Sequence, residues 1–246
     1  MKDYINQAMK GFSEEEYAVC KLEQGYKRLK KADMTEEDIL QALMKAAVEL
    51  TQETEPKWEY IGARFLYMKF EKRLKRELEK RGIKDFYEKI QYLTKEGLYG
   101  NYILEHYSKE EILEAEGYIK AERNGLFNYS GLDLLLNRYV IQTHDHIKLE
   151  TPQEMYMGIA LHLAMKEKKD KMKWVKKFYD MLSKQEVTMA TPTLSNARKP
   201  YHQLSSCFID VVPDSLEGIY RSIDNFAKVS KFGGGMGMYF GKVRAT

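Results

Sequence analysis

The placement of proline and glycine limits what this chain can fold into more than any other feature. Only Pro56 and Pro152 precede residue 190, whereas Pro192, Pro200 and Pro213 fall within 22 residues. Five of the 16 glycines lie between Gly233 and Gly241. Proline removes a backbone donor and breaks helices, and clustered glycine marks turns. The first three quarters of the chain therefore read as helical, and the last quarter as a different kind of structure.

Helix starts are well marked. Ser13-Glu14-Glu15-Glu16, Thr35-Glu36-Glu37-Asp38, Ser108-Lys109-Glu110-Glu111 and Thr151-Pro152-Gln153-Glu154 each place a hydroxyl three residues before an acid. That is the capping-box pattern, with the acid near the positive helix end. Pro152 falls at the first helical position, where its missing N–H costs nothing. Ile39, Leu40, Leu43, Met44, Ala47 and Val48 form one stripe at helical period. Trp58, Ile61, Phe65, Leu66 and Met68 form a second, and Trp174, Phe178, Met181 and Leu182 a third. These are read as core seams. The basic stretch from Lys57 to Lys89, with Glu77 and Arg81 four apart, reads as a solvated helix face, as does Lys166 to Lys177 with Trp174 and Phe178 turned inward.

After Lys184 the pattern changes. Val187 to Ala190 reads as a short buried strand, Thr191 to Pro200 as turns, and Leu204 to Val212 as an extended piece. Asp214-Ser215-Leu216-Glu217 caps a helix to about Lys231, with Ile219, Ile223, Phe226 and Val229 on one side. Met238, Tyr239, Phe240 and Val243 form a further strand. Strand, helix, strand is the opening of an α/β unit.

Composition excludes several classes. Lys+Arg 40 against Asp+Glu 37 gives a net charge of +3 over 246 residues, too little to argue for nucleic acid. No apolar run approaches a membrane span, and the start MKDYINQAMKGFSEEE lacks the apolar core of a signal peptide. With Cys20 and Cys207 as the only cysteines, no disulfide framework or cysteine zinc site is expected, and a reducing, cytoplasmic location is the simplest reading.

Few residues could carry chemistry. A lone buried cysteine such as Cys207 is usually an apolar filler. Flanking Ser205 and Ser206 and a following glycine-rich segment raise the alternative of a redox role, but spacing alone leaves the filler reading ahead, because a redox cysteine needs a partner thiol and nothing indicates that Cys20 meets Cys207. Phe232-Gly233-Gly234-Gly235-Met236-Gly237 is either a tight turn or a close backbone approach to a ligand, and fits neither the dinucleotide fingerprint nor the P-loop. Asp214 reads as a cap, and Arg244 as a surface charge or a phosphate fork. His144-Asp145-His146 sits in a connecting loop, so no metal site is expected there. His106, His162 and His202 have no partners at ligand spacing.

Four segments taken together resemble a known family. They are Ala190-Thr191-Pro192-Thr193-Leu194-Ser195-Asn196-Ala197, Gln203-Leu204-Ser205-Ser206-Cys207-Phe208, Asp214-Ser215-Leu216-Glu217-Gly218-Ile219, and the triple glycine followed by Lys242-Val243-Arg244-Ala245-Thr246. In this order they resemble the large (alpha) subunit of ribonucleotide reductase. Glu96 to Tyr99, Tyr107 to Glu111, Phe127 to Tyr129, Tyr139-Val140 and Glu150 to Glu154 resemble that family's helical N-terminal domain. Residues 35 to 72 resemble the helical half of its ATP-cone. The implied architecture is mainly α, followed by the first strand-helix-strand elements of a ten-stranded α/β barrel. Its parts would be 1–90, a degenerate ATP-cone-like region; 91–184, the N-terminal helical domain; and 185–246, the start of the catalytic barrel.

The resemblance also implies residue roles. Cys207 would be one of two thiols that reduce the ribose 2′ position and end as a disulfide. Thr191, Ser206, Cys207 and Gly235 would line the substrate, a ribonucleoside diphosphate. Asp214, Ser215, Leu216 and Arg244 would bind the deoxynucleoside triphosphate effector that selects the substrate. The 214–231 helix would lie at a homodimer interface. The partners implied are a small metal-containing subunit that supplies the radical, thioredoxin or glutaredoxin as reductant, and the remainder of the large subunit. No metal or cofactor is expected in this chain itself.

The departures from the family pattern shape further expectations. The family's cone opens with a glycine-turned basic hairpin, but residues 1 to 33 are helical in pattern. Thr35 and Lys72 match ATP-associated positions of a pocket whose other half is missing, so no tight ATP site is expected there. The radical cysteine and the partner of Cys207 match nothing here, so the chain alone is expected to be inactive. Two alternatives stay open: a fragment of an adenosylcobalamin-dependent reductase, or a non-catalytic nucleotide-binding module that kept Asp214 and Arg244.

Overall fold

The computed structural model describes residues 1–245. It is mainly helical and ends in a two-stranded parallel sheet. The chain divides into two compact units. Met1–Lys89 with Leu113–Tyr156 form the first, and Ile90–Ile112 with the residues from Met157 onward form the second. Among the described residues, no helix is long and apolar enough to cross a membrane.

The first unit contains α1 (Lys2–Met9), α2 (Val19–Leu29), α3 (Glu36–Glu49) and α4 (Trp58–Lys80). The start of α5 (Phe86–Lys95), the end of α7 (Lys109–Tyr118), a 3-10 turn at Ala121–Leu126, α8 (Tyr129–Leu134), continued by a π turn at Leu135–Tyr139, and the start of α9 (Pro152–Ala164) complete its helical elements. The stripes read from sequence on α3 and α4 meet in one core: Leu40, Leu43, Ala47, Trp58, Ile61 and Phe65 are buried together with Ile5 and Leu22. α3 and α4 approach closely because Gly62 has no side chain; a Cβ there would lie 2.8 Å from Val48 Cγ2. Arg64 closes the end of α1 by donating to the carbonyls of Ala8 (2.7 Å) and Lys10 (2.6 Å) while its guanidinium lies over the Phe12 ring. Lys89, 4% exposed, pairs with Glu154 at 2.5 Å.

Three of the four expected capping boxes form. Thr35 accepts from the Asp38 N–H while Asp38 accepts from the Thr35 N–H, and the Ser108–Glu111 and Thr151–Glu154 pairs do the same. The fourth, Ser13 to Glu16, does not start a helix: those residues form a turn in which the Tyr17 N–H donates to Ser13 O. The helix starts later, at Val19. Tyr17 decides this, because its ring packs edge-on against buried Trp58 at 5.6 Å and fixes the chain before it can propagate a helix.

The second unit contains the rest of α5, α6 (Tyr102–His106), the first turn of α7, the end of α9 (Pro152–Ala164), α10 (Lys171–Ser183), α11 (Thr191–Asn196), β1 (Cys207–Val211), α12 (Leu216–Lys231) and β2 (Gly235–Tyr239). On α10 the buried line is Val175, Tyr179 and Leu182; Trp174 and Phe178 are half-buried and pack on each other at 5.7 Å. The third stripe is thus rotated by one residue from the sequence reading. Two further readings need correction. Val187 to Ala190 is not a strand: Val187 is exposed, and the segment has no ladder partner that would hold it extended. Thr191 to Asn196 is a short helix rather than turns, with Pro192 in its first turn where a proline is tolerated.

β1, α12 and β2 form the strand-helix-strand unit expected of an opening α/β barrel. β2 pairs parallel to β1 in the register Cys207↔Gly235, Ile209↔Gly237, Val211↔Tyr239. The strand begins at Gly235 and ends at Tyr239, so Phe240 and Val243 lie outside it. Ser215 caps α12 by accepting from the Gly218 N–H at 3.0 Å.

Candidate functional site in the strand-helix-strand unit

Side chains alternate across a strand, so β1 and β2 present two faces. Phe208 and Asp210 are half-buried, as are their register partners Met236 and Met238; Phe208 meets Gly234 and Val229, on the side that α12 covers. Cys207, Ile209 and Val211 lie on the other face beside Gly235, Gly237 and Tyr239, and all six are exposed. Ile209 is 87% exposed. Cys207 is therefore a free, exposed thiol and not the buried filler that a lone cysteine usually is.

Three of the sequence-predicted site residues converge at the start of this face. Gly235 pairs with Cys207, and its N–H donates to Ser206 O at 2.7 Å. The Ser206 hydroxyl lies 3.5 Å from Cys207 Sγ. A Cβ at Gly235 would have only Ser206 O nearby, at 3.6 Å, so the glycine leaves open space next to the thiol. Thr191 opens α11. The residue that holds α11 to this corner is one that sequence reasoning missed. Asn196 Nδ2 donates to Gln203 O at 3.0 Å and Phe232 O at 3.3 Å, joining the segment before β1 to the turn before β2. Its position inside a quoted motif was the available signal.

A second group forms at the N-terminus of α12. Asp214 and Arg244, 30 positions apart in sequence, approach to 3.7 Å. Ser215 is committed to the helix cap, and Leu216 is 68% exposed. A helix N-terminus beside a guanidinium is chemically suited to a phosphate. Thr246, the last residue of the quoted motif, lies outside the described residues.

In the first unit, Thr35 caps α3. Lys72 donates to Tyr4 Oη at 2.6 Å and pairs with Glu36 at 2.7 Å. That pairing holds the Glu36 carboxyl below its ordinary range and raises the Lys72 ammonium. Thr35 is thus engaged with Asp38 of α3, and Lys72 with Glu36 of α3 and Tyr4 of α1. The basic face of α4 is solvated as its sequence reading has it, with Arg73, Arg76 and Lys80 exposed and Lys69 half-buried, and these side chains also line one wall of a cavity.

Two histidines that looked isolated in sequence meet in the second unit. His162 and His202 rings lie 5.3 Å apart, both packed edge-on against Tyr102. Tyr102 donates to the carbonyls of Ala197 (2.7 Å) and Lys199 (3.1 Å), so His162 Nδ1, 3.2 Å away, carries the proton and donates to the phenol oxygen. Burial first, and then the neighbouring His202, pull the His162 pKa down to about 4. Among the described residues, no group of His, Cys, Asp and Glu could hold a metal ion.

Comparison with known proteins agrees with this architecture. Residues 125–202 match the family described as ribonucleotide reductase, all-alpha domain, and residues 205–246 match ribonucleotide reductase, barrel domain. The ribonucleoside-diphosphate reductase subunit alpha of Treponema pallidum is 58% identical over 242 residues, covering 98% of this chain and 29% of that protein. The proteins of the same name from Helicobacter pylori and Synechocystis are 38% and 32% identical, covering 86% and 92% of this chain and 26% and 28% of their own length. The chain thus spans less than a third of the length of the curated relatives it matches. It belongs to the ribonucleotide reductase large-subunit family, matching that subunit's all-alpha region and the opening of its barrel.

Proposed function

We propose that this chain is the N-terminal part of the large subunit of a ribonucleoside-diphosphate reductase of the type that depends on a small radical-generating subunit. In that reaction the ribose 2′ C–OH becomes C–H with release of water, and two thiols become one disulfide. Cys207 would supply one of those thiols. The second thiol and the radical cysteine would come from the remainder of the subunit, and a thioredoxin- or glutaredoxin-type dithiol would reduce the disulfide again. Thr191, Ser206 and Gly235 would contact the substrate. Asp214, Ser215, Leu216 and Arg244 would take the deoxynucleoside triphosphate effector. The three-part division at residues 90 and 184 belongs to the same reading.

The observation that carries the proposal is the exposed Cys207 thiol beside the open space at Gly235, on the face that α12 leaves uncovered. A redox thiol must be reached both by substrate and by its partner sulfur, which a buried filler cannot be. The exposed side chains of Leu216, Tyr220, Ile223 and Phe226 on α12 support the homodimer reading, because apolar groups gathered on one helix favour burial against a partner.

The test uses the full-length subunit with its small subunit. Cys207→Ser should abolish multiple turnover with a thioredoxin-type reductant and leave effector binding intact. Undiminished multiple turnover in Cys207→Ser would overturn the assignment. Arg244→Ala should do the reverse, weakening effector binding while Cys207 remains oxidisable.

A further inference from the structure

Three consecutive carbonyls in the segment that links α11 to β1 are received by one short stretch at the start of α6. The Gly100 N–H donates to Arg198 O at 2.9 Å, and the Tyr102 hydroxyl serves Ala197 O at 2.7 Å and Lys199 O at 3.1 Å. Residues 197–203 are turns and irregular chain, and Ala197 and Arg198 are fully buried. Buried carbonyls outside a helix or ladder depend on donors of this kind.

The phenol is itself held. Its oxygen accepts from Nδ1 of His162 on α9 at 3.2 Å, and the His202 ring, which belongs to the held segment, packs edge-on against the Tyr102 ring at 4.4 Å. His162 is buried. Burial outweighs the opposing charge of Arg198 and pushes the Tyr102 phenol above its ordinary range, so it keeps the hydrogen it donates.

The same segment grips the glycine turn on its other side. Asn196 donates to Gln203 O and Phe232 O, and the Tyr201 ring stacks on the Phe232 ring at 3.9 Å. Gly233, Gly234 and Gly235 follow directly, and Gly235 is the register partner of Cys207. Direct contacts thus run from His162 through Tyr102, the 197–203 segment and Phe232 to the residue beside the thiol, all within the second unit.

We infer that Tyr102, His162 and His202 are positioning residues for Cys207: they lock the 197–203 segment, which through Asn196 and Tyr201 fixes the glycine turn opposite the thiol. This rests on the reading of Cys207 as a redox thiol. Such a thiol must meet both a ribose carbon and a partner sulfur, and a displacement of about 1 Å can cost on the order of 100-fold in rate. The lock is sensitive to acid. The titratable or charged groups around His162 are Tyr102 of α6, His202 and Arg198 of the segment, Tyr99 over Gly158 one turn earlier on α9, and Tyr107, which donates to Leu161 O at 2.7 Å. Each is neutral or cationic, so a proton on His162 adds buried positive charge beside them. The opened segment therefore takes up that proton more readily than the locked one.

Hydrogen exchange at the Gly235 N–H, measured in the full-length subunit, reads the lock without any catalysis. Tyr102→Phe keeps the ring and removes the donor. Protection at Gly235 should then fall about tenfold, with protection on α10 unchanged. His162→Leu should lower it about threefold, and His162→Asn, which places an amide donor where Nδ1 stood and does not titrate, should restore it. After correction for intrinsic exchange, protection should fall more than about tenfold between pH 7.5 and 5 in the parent and stay level in His162→Asn. In turnover assays with the small subunit, Tyr102→Phe should lower kcat about fivefold or more and leave effector affinity unchanged. Unchanged Gly235 protection in Tyr102→Phe would overturn the lock. So would an equal loss on α10, or a pH dependence that survives undiminished in His162→Asn. Lost protection with undiminished kcat would overturn the link to the thiol's chemistry. Failure of the reductase reading shows separately, as undiminished multiple turnover in Cys207→Ser.

Discussion

Cys207 and Gly235 face each other across the parallel register of β1 and β2, on the side of the sheet that α12 does not cover. The pairing explains why a glycine stands at 235. Its φ is not in the left-handed region, so it is the missing side chain, and not backbone freedom, that matters there. Any Cβ at this position would narrow the approach to the sulfur.

Gly235→Phe should therefore fold normally and shield the thiol. In a Cys20→Ser background, needed because Cys20 is also exposed, iodoacetamide should modify Cys207 rapidly in the parent and several-fold more slowly in Gly235→Phe. Gly235→Ala, which meets only ordinary contact with Ser206 O, should change stability by no more than about 0.5 kcal/mol. Equal labelling rates in the parent and Gly235→Phe would show that the open space at 235 does not control access.

Asn196 should be a stability residue with a local signature. Its amide serves the carbonyls of Gln203 and Phe232 at once, and both lose their donor in Asn196→Ala. The expected cost is about 1–3 kcal/mol in urea unfolding. Asn196→Asp keeps the shape and removes the donor, so it should cost at least as much. Hydrogen exchange should quicken at Gly235, whose N–H donates to Ser206 O, before it quickens on α10.

Gly158 on α9 should tolerate no side chain. A Cβ there would collide with the Tyr99 hydroxyl and lie 2.9 Å from Cδ of fully buried Arg198. Alanine is the better helix former, so an exposed site would gain from the change. Here Gly158→Ala should cost about 1–3 kcal/mol through overpacking. Thermal melts of the parent and variant decide the sign.

His162 should make stability fall in mild acid. Its pKa is drawn from 6.5 down to about 4 by burial and by His202. Above pH 6.5 neither the folded nor the unfolded chain carries a proton there, and stability is undiminished. Between pH 6.5 and about 4 the unfolded chain takes up a proton that the folded chain refuses, so stability drops as pH falls and the loss levels off below that range. The size is on the order of 2–3 kcal/mol. Urea midpoints at pH 7.5 and 4.5 should differ by that much more in the parent than in His162→Gln; identical pH dependence in the two would refute the claim.

Local signals in the sequence were read correctly where the relevant partner lies within one turn of helix. The Thr35, Ser108 and Thr151 boxes bind their own acids three residues on, and the Glu77–Arg81 pair closes four residues on. Ser13 failed because a distant ring, Trp58, captured Tyr17. The stripe on α10 slipped by one residue because Trp174 and Phe178, the most conspicuous residues, pack on each other while Tyr179 takes the buried place. Cys207 and Gly235 could be named from motifs, but their adjacency depends on strand register, which sequence order does not specify.

By itself the sequence determined the helical first three quarters, the strand-helix-strand ending and the family, because capping, periodicity and motif order are properties of residues near one another along the chain. Only the tertiary structure decided that Cys207 is exposed beside Gly235, that Asp214 meets Arg244, that His162 is kept neutral beside Tyr102 and His202, and that the basic face of α4 lines a cavity. Each of these depends on which distant groups share a small volume, and burial and Coulomb interactions act through distance in space and not along the chain.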